Sequence, residues 1–274
     1  MTEQARAAQQ ADLALLAAEA ADLDATLVTL TQAEWDVVTG FKGWRVFDHV
    51  HHLNFSDLQA AEAAVDPKAF CARRDARRAA GGPSQTLGPD GPPDIPPAAL
   101  LARWRAGLAD LIPALAALEP GVRVPWFGPD MSVRAFVTAR LMETWAHGQT
   151  IHDAVGRRRI ATDRLRPICE LGWRTLGWSF RNRGLEPPAA PVSVRLTAPS
   201  GAVWTWGAAV AENSVTGPAE DFALVVCQCR NLADTGLQVS GPAAEAWMAI
   251  AQCFAGVPAD PPAPGERRVR GDLG

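Results

Sequence analysis

A chain of 274 residues is long enough for one large domain or two ordinary ones, each with a real core. With 48% hydrophobic and 20% charged residues it has the composition of a soluble globular protein, and a formal charge of -4 speaks against a nucleic-acid partner, which needs a basic face. The apolar stretch Leu13–Leu30 is broken by Glu19, Asp22 and Asp24 and is no membrane span, while Met1–Gln10 lacks the basic start and apolar run of a signal peptide, so the expected location is cytoplasmic.

Leu13, Leu16, Ala20, Leu23, Leu27 and Leu30 alternate spacings of three and four, which predicts one apolar helix face. A second helix is expected from Val46 to about Ala64, with Val50, Leu53 and Leu58 inward. Leu101, Trp104, Leu108, Leu111, Leu115 and Leu118 predict a third, stopped by Pro120-Gly121. A fourth begins after Asp130 or Ser132, either of which can cap it, and runs to about Val155. A fifth is expected from Thr162 to Arg183. Four long amphipathic helices before residue 158 predict a bundle over 1–158, with a connecting helix and linker over 159–186.

Residues 79–97 are too rich in Gly and Pro for regular structure, and a loop of that length is expected to serve the site as a cover. Composition changes again at Leu185–Pro191. Beyond it, Val192–Ala198 and Ala202–Gly207 read as strands joined by a turn at Pro199-Ser200-Gly201. A helix from about Pro218 to Arg230, a strand near Leu237–Ser240 and a helix Pro242–Phe254 complete a small α+β domain over 187–257, with a disordered tail over 258–274. The fold class expected is therefore α+β, mainly α: a four-helix bundle followed by a small α+β domain.

The five cysteines, Cys71, Cys169, Cys227, Cys229 and Cys253, are scattered, odd in number and without paired CxxC spacing. They read as ordinary thiols, not as a disulfide framework or zinc ribbon.

On the fourth helix Phe136, Arg140, Glu143, His147 and Ile151 share one stripe, with Glu143 and His147 one turn apart. A carboxylate and an imidazole facing a core suit a zinc ion. An ordinary ion pair between Arg140 and Glu143 is the plainer alternative. A third ligand has to come from another helix, and the second offers His49, His51 and His52, of which only one or two can share its inner face.

Trp35, Gly43-Trp44-Arg45-Val46-Phe47-Asp48 and His52-Leu53 together resemble the G-W-x-V-x-D-x-x-x-H-L motif of the DinB superfamily. The run TARLMETWAHGQ (Thr138–Gln149) resembles the second motif, E-x-x-x-H, of the branch that contains mycothiol-dependent maleylpyruvate isomerase. Carried over position by position, the resemblance implies His52, Glu143 and His147 as ligands of a divalent metal, zinc by expectation, and selects His52 over its neighbours. It implies mycothiol as a thiol cosubstrate. Asp48, one turn before His52, is expected either to orient a ligand from behind or to serve the helix start. His49, His51 and His152 are expected to matter little, and Trp35, Trp44 and Trp145 to be core residues.

The C-terminal domain resembles, more loosely, the sterol-carrier-like domain of that branch, and Arg230 is the match to an arginine important there. It would hold a substrate carboxylate or cap its helix. The expectation is thus a metal-dependent enzyme that activates a mycothiol-like thiol for isomerisation or S-transfer on a small acidic or electrophilic substrate. Two alternatives keep the metal: a zinc hydrolase or lyase using bound water, and a non-enzymatic metal-containing binding protein.

Overall fold

The computed structural model describes residues 3–79, 91–208 and 212–271. The chain divides into two compact units, Met1–Ile151 and His152–Gly274. In the first, α1 (Glu3–Leu27) buries Leu13, Leu16, Ala20, Leu23 and Leu27, the face its spacing predicts. Thr31 then opens the short α2 (Gln32–Trp35) with a capping box: its Oγ1 accepts from the Glu34 amide and the Glu34 carboxylate accepts from the Thr31 amide.

Helix α3 (Val46–Val65) buries Val50 and Leu53 completely, but Leu58 is 44% exposed, because five residues past Leu53 falls on another face. Proline at the first helical position and the Asp66 carboxylate, which accepts from the Ala69 amide, start a helix the sequence reading omits, α4 (Pro67–Ala79), anchored by the buried Phe70. Residues 80–90, most of the expected covering loop, lie outside the described residues. Helix α5 (Pro97–Ala117) again starts on proline. A two-residue ladder, β1 (Arg123–Val124) with β2 (Met131–Ser132), leads into α6 (Val133–Ala154), where Ser132 Oγ accepts from the Ala135 amide.

Polar ties fix how these helices meet. Gln9, fully buried on α1, donates to the carbonyls of Leu115 and Leu118 at the end of α5, where a helix runs short of amide donors for its last carbonyls. Asp57 on α3 and Arg140 on α6 form a buried ion pair at 2.9 Å. The other Asp57 oxygen accepts from Trp104 Nε1 at 3.0 Å, which ties in α5. Arg140 is thereby paired with Asp57 and not with Glu143.

In the second unit the expected single helix over Thr162–Arg183 is two: α7 (Leu165–Arg174) and α8 (Leu176–Arg181). The break is at Thr175, whose hydroxyl donates to the carbonyls of Leu171 and Gly172 and so competes with the helix ladder. The four-stranded sheet has order β4-β3-β5-β6, with β3 (Val192–Thr197) antiparallel to β4 (Val203–Trp206) and parallel to β5 (Asn213–Pro218), which is antiparallel to β6 (Gln238–Ser240). Val192, Val194 and Leu196 alternate inward on β3, the period of a half-buried strand. The sequence reading has no β5, since its polar residues, Gly217 and Pro218 resemble a loop.

Helices α9 (Ala219–Val226) and α10 (Pro242–Met248) pack on the sheet, and α7 packs on α9. Gly172 makes that approach possible, since a Cβ there would lie 2.8 Å from a Val226 methyl. The residues expected as a connector over 159–186 are thus part of the second unit.

The expected disordered tail is also corrected. Through Gly271 the segment is tied to the unit: Arg270 N–H donates to the Asp153 carbonyl, Asn231 to that of Pro262, Gly265 N–H to Asp234, and Arg267 to the Gln228 carbonyl. These backbone partners offset its lack of helix or strand. Among the described residues no helix is long and apolar enough to cross a membrane.

Asp57→Ala should lower the stability of the bundle by about 3–5 kcal/mol in urea unfolding, because it leaves a buried guanidinium without its counter-charge. The double change Asp57→Leu with Arg140→Met should recover most of that loss. A single change within 1 kcal/mol of the parent would show that the pair does not tie α3 to α6.

Candidate metal centre

The loop before α3 sets the centre's wall. Val38 bridges Arg45, and the Thr39 amide donates to the Trp44 carbonyl at 2.8 Å, closing a turn that needs left-handed backbone at Lys42 (φ 54°) and Gly43 (φ 69°). The turn aims two rings at the histidines. Phe41 lies 5.5 Å from both His49 and His147, and Trp44 lies 5.4 Å from His49, 5.5 Å from His52 and 6.0 Å from His147. Trp35 and Trp145 are core residues as expected. Trp44 is not: it is only partly buried and walls the imidazoles.

Of the two roles expected for Asp48, its contacts favour the one at the helix start. Both of its carboxylate oxygens are engaged by Arg45, through its amide at 2.8 Å, its Nε at 3.4 Å and its Nη2 at 3.1 Å. It serves the start of α3, where a carboxylate suits the helix dipole, and orients no ligand.

Helices α3 and α6 bring His52, Glu143 and His147 together, with one donor atom from each lying within 4.8 Å of the others. Glu143 Oε2 stands 3.3 Å from His52 Nε2 and 3.3 Å from His147 Nε2. Among the described residues this is the one such group, and it includes neither His51 nor His152.

The 3.3 Å separations are long for N–H···O bonds. They equal the edge of a tetrahedron of ligands about 2.0–2.1 Å from a central ion, roughly 3.3 Å. The donor set fits a divalent metal of the zinc type: two imidazoles and one carboxylate, one ligand short of a closed tetrahedral set.

Electrostatics agree with this fit. Burial pushes the His147 imidazolium down, the charge of His52 pushes it further, and Glu143 offsets only part, leaving its pKa at about 4. At neutral pH the ring is therefore uncharged, the form that ligates metals. Burial pushes the Glu143 carboxyl up, but hydrogen bonds and charge from His147 and His52 overcome it and hold the group well below the usual carboxylate range.

The sequence reading missed His49. It is fully buried, its Nδ1 lies 2.6 Å from His147 Nδ1, and its Nε2 lies 3.0 Å from Thr39 Oγ1. Its place three residues before His52 on the same face was a signal available in the sequence.

The family model described as mycothiol maleylpyruvate isomerase N-terminal domain matches residues 16–152, a span that contains all of these groups. The chain belongs to this family. It is 41% identical over 246 residues to "Uncharacterized protein Rv0036c" of Mycobacterium tuberculosis, a match covering 89% of this chain and 95% of the relative. The counterpart from strain CDC 1551 gives the same figures.

Two crystal structures share the fold. That of the mycothiol-dependent maleylpyruvate isomerase superposes with a TM-score of 0.50 at 18% identity, covering 85% of this chain and 92% of that one. That of a histidine-to-alanine mutant of the isomerase gives 0.52 at 14%, covering 79% and 88%.

In this member of the isomerase family Arg230 does not present a free fork. Its guanidinium is bidentate on Asp153, at 2.5 and 2.7 Å, and also donates to the Cys229 carbonyl at 2.8 Å. A substrate carboxylate would have to displace a buried internal one. Nor does the chain carry a nucleophilic thiol at the centre. Four of the five cysteines are buried, and burial raises the thiols of Cys169, Cys227 and Cys229, the last to about 12. A raised pKa keeps each thiol protonated, hence unreactive, at every pH below it.

Arg230→Met should cost about 3 kcal/mol of stability by leaving the Asp153 carboxylate buried and unpaired, while metal content stays at the parent level. A fall in metal content without a loss of stability would restore a role at the centre. Titration of native protein with an aromatic disulfide at pH 8 should consume about one thiol quickly, Cys71, and all five only after denaturation; a fast second equivalent would contradict the burial described.

Proposed function

We propose that His52, Glu143 and His147 hold one divalent cation, zinc by donor type, and that the chain uses it to activate a low-molecular-weight thiol of the mycothiol class. The reaction is isomerisation or S-transfer on a small acidic or electrophilic substrate. The observation that carries this reading is the position of Glu143 Oε2, 3.3 Å from the Nε2 atoms of two imidazoles on different helices.

Membership of the isomerase family supports the choice of thiol. The burial of the chain's own cysteines supports a thiol brought from outside.

When bound, the cation supplies a Lewis acid that keeps a thiol ionised at neutral pH. The residues of the chain do the rest. His52 and His147 offer imidazole lone pairs, and Glu143 supplies the one negative charge. Phe41 and Trp44 pack beside the imidazoles and lower the local polarity there, which strengthens charge interactions. The thiolate adds to a carbon–carbon double bond conjugated to a carbonyl, forming a C–S bond and moving the π electrons onto the carbonyl oxygen. Rotation about the resulting single bond and expulsion of the thiolate return the isomerised double bond and the free thiol. In S-transfer a leaving group departs instead and the C–S bond remains.

Purified protein should contain about one zinc per chain by elemental analysis. Alanine at His52, Glu143 or His147 should weaken binding by roughly 100-fold or more, since even outer-shell losses cost about 10- to 100-fold; alanine at His51 or His152 should leave it unchanged. Retained metal in all three ligand variants would sink the site. With cobalt in place of zinc, mycothiol should produce a sulfur-to-metal charge-transfer band and raise the melting temperature of the loaded protein only. Equal stabilisation of the metal-free protein with no such band would remove the thiol and leave the hydrolase reading.

A further inference from the structure

We infer that His49 is a positioning residue that fixes the tautomer of His147 through the run Thr39–His49–His147, using a neutral imidazole where metal sites commonly place a carboxylate or a carbonyl. The inference deepens the metal reading proposed above and rests on it.

His49 Nδ1 and His147 Nδ1 are 2.6 Å apart in a buried setting, so one of the two carries a proton and the other accepts it. If His147 Nδ1 donates, its Nε2 presents a lone pair toward Glu143 Oε2 at 3.3 Å, an arrangement that repels unless a cation lies between them. His49 then accepts on Nδ1 and carries its proton on Nε2, which donates to Thr39 Oγ1 at 3.0 Å. The Thr39 hydroxyl in turn points to the Phe41 carbonyl at 3.5 Å and accepts from the Phe41 amide at 3.2 Å. Every donor in this direction has an acceptor.

The opposite direction puts a proton on His147 Nε2, where it donates to Glu143. Thr39 then donates to His49. That direction suits the centre without a cation and blocks the lone pair a cation needs. Loading the site would therefore reverse the run: His147 would give up its Nε2 proton and take one on Nδ1 from His49, which would take one on Nε2. One proton would leave to water and one enter from it, with no net change in charge.

A neutral partner has a chemical consequence. A carboxylate behind His147 would add electron density to the ligand and dull the cation's Lewis acidity, whereas an imidazole orients the ring with less of that effect. His49 thereby couples the turn that carries Phe41 and Trp44 to the orientation of a ligand.

The test compares the full-length parent with His49→Phe, which keeps a ring and removes both nitrogens, and His49→Gln, which keeps an acceptor and a donor. Zinc affinity is read by chelator competition, and folding by circular dichroism. His49→Phe should bind zinc about 10- to 100-fold more weakly, and His49→Gln within about threefold of the parent. Equal affinities in all three, or equal losses in both variants, overturn the inference.

Should His49→Phe not fold, ¹⁵N imidazole spectra of the parent decide. With zinc they should show protons on His147 Nδ1 and His49 Nε2, and without it the reverse; a loaded protein with His49 protonated on Nδ1 overturns the inference and leaves the metal site standing. A parent that binds no zinc at all overturns both.

Discussion

The centre depends on the register of α3 against α6. The two helices run antiparallel, so their polar side chains meet as rungs: His49 against His147, His52 against Glu143, Asp57 against Arg140. Each rung lies about one turn beyond the last. Slipping either helix by one turn would break all three together and leave charges in a core that includes Val50, Leu53, Phe136 and Ile151, each fully buried. The cost of burying an unpaired charge makes that slip expensive. Arg140 and Asp57, held also by Trp104, therefore belong to the positioning of Glu143 although they stand outside the ligand set.

The wall over the imidazoles has a different origin. It comes from a six-residue turn whose shape is dictated by one bridge, one backbone hydrogen bond and two left-handed residues. Lys42, at the tip, lies 5.0 Å from the Phe41 ring and 5.8 Å from the Trp44 ring, close enough for cation–π attraction. The arrangement places a positive charge on the outer side of the two rings whose inner sides face histidines. Thr39 ends the same turn and touches His49, so the turn's conformation and the hydrogen bonding behind His147 are one structural unit.

Much of this was legible in the sequence, and the failures have physical causes. Spacings of three and four gave the long helices and the stripe through Glu143 and His147, because that period follows from helix geometry alone. His52 was separated from His49 and His51 only by the motif; periodicity names a face and not the partner across it. The same limit hid the contact of His49 with His147, which needs the register of two helices about 100 residues apart. Asp48 and Arg230 each had an outward role and a local one open to them in the sequence, and each found a near opposite charge, Arg45 and Asp153. Helix α4 and strand β5 were missed where Pro, Gly and polar residues outweighed a short periodic signal, and tertiary hydrogen bonds order the polar segment up to Gly271 that composition alone marks as loose.

The choice of a carboxylate at position 143 bears on the kind of ligand the centre favours. In the proposed centre, a divalent cation among one carboxylate and two imidazoles would carry one net positive charge. One thiolate would cancel it, so that the assembly is neutral and its burial costs little, whereas three imidazoles would leave a residual charge after the same step. In a medium where unit charges at contact interact several times more strongly than in water, that difference bears directly on how far a bound thiol is acidified. With such a cation bound, Glu143 would lower its raw pull on a thiolate but remove the cost of leaving charge behind, and would make later departure of the thiolate easier. A reaction in which the thiol must both add and leave needs that compromise: a nucleophile held ionised, yet not so tightly that it cannot be transferred.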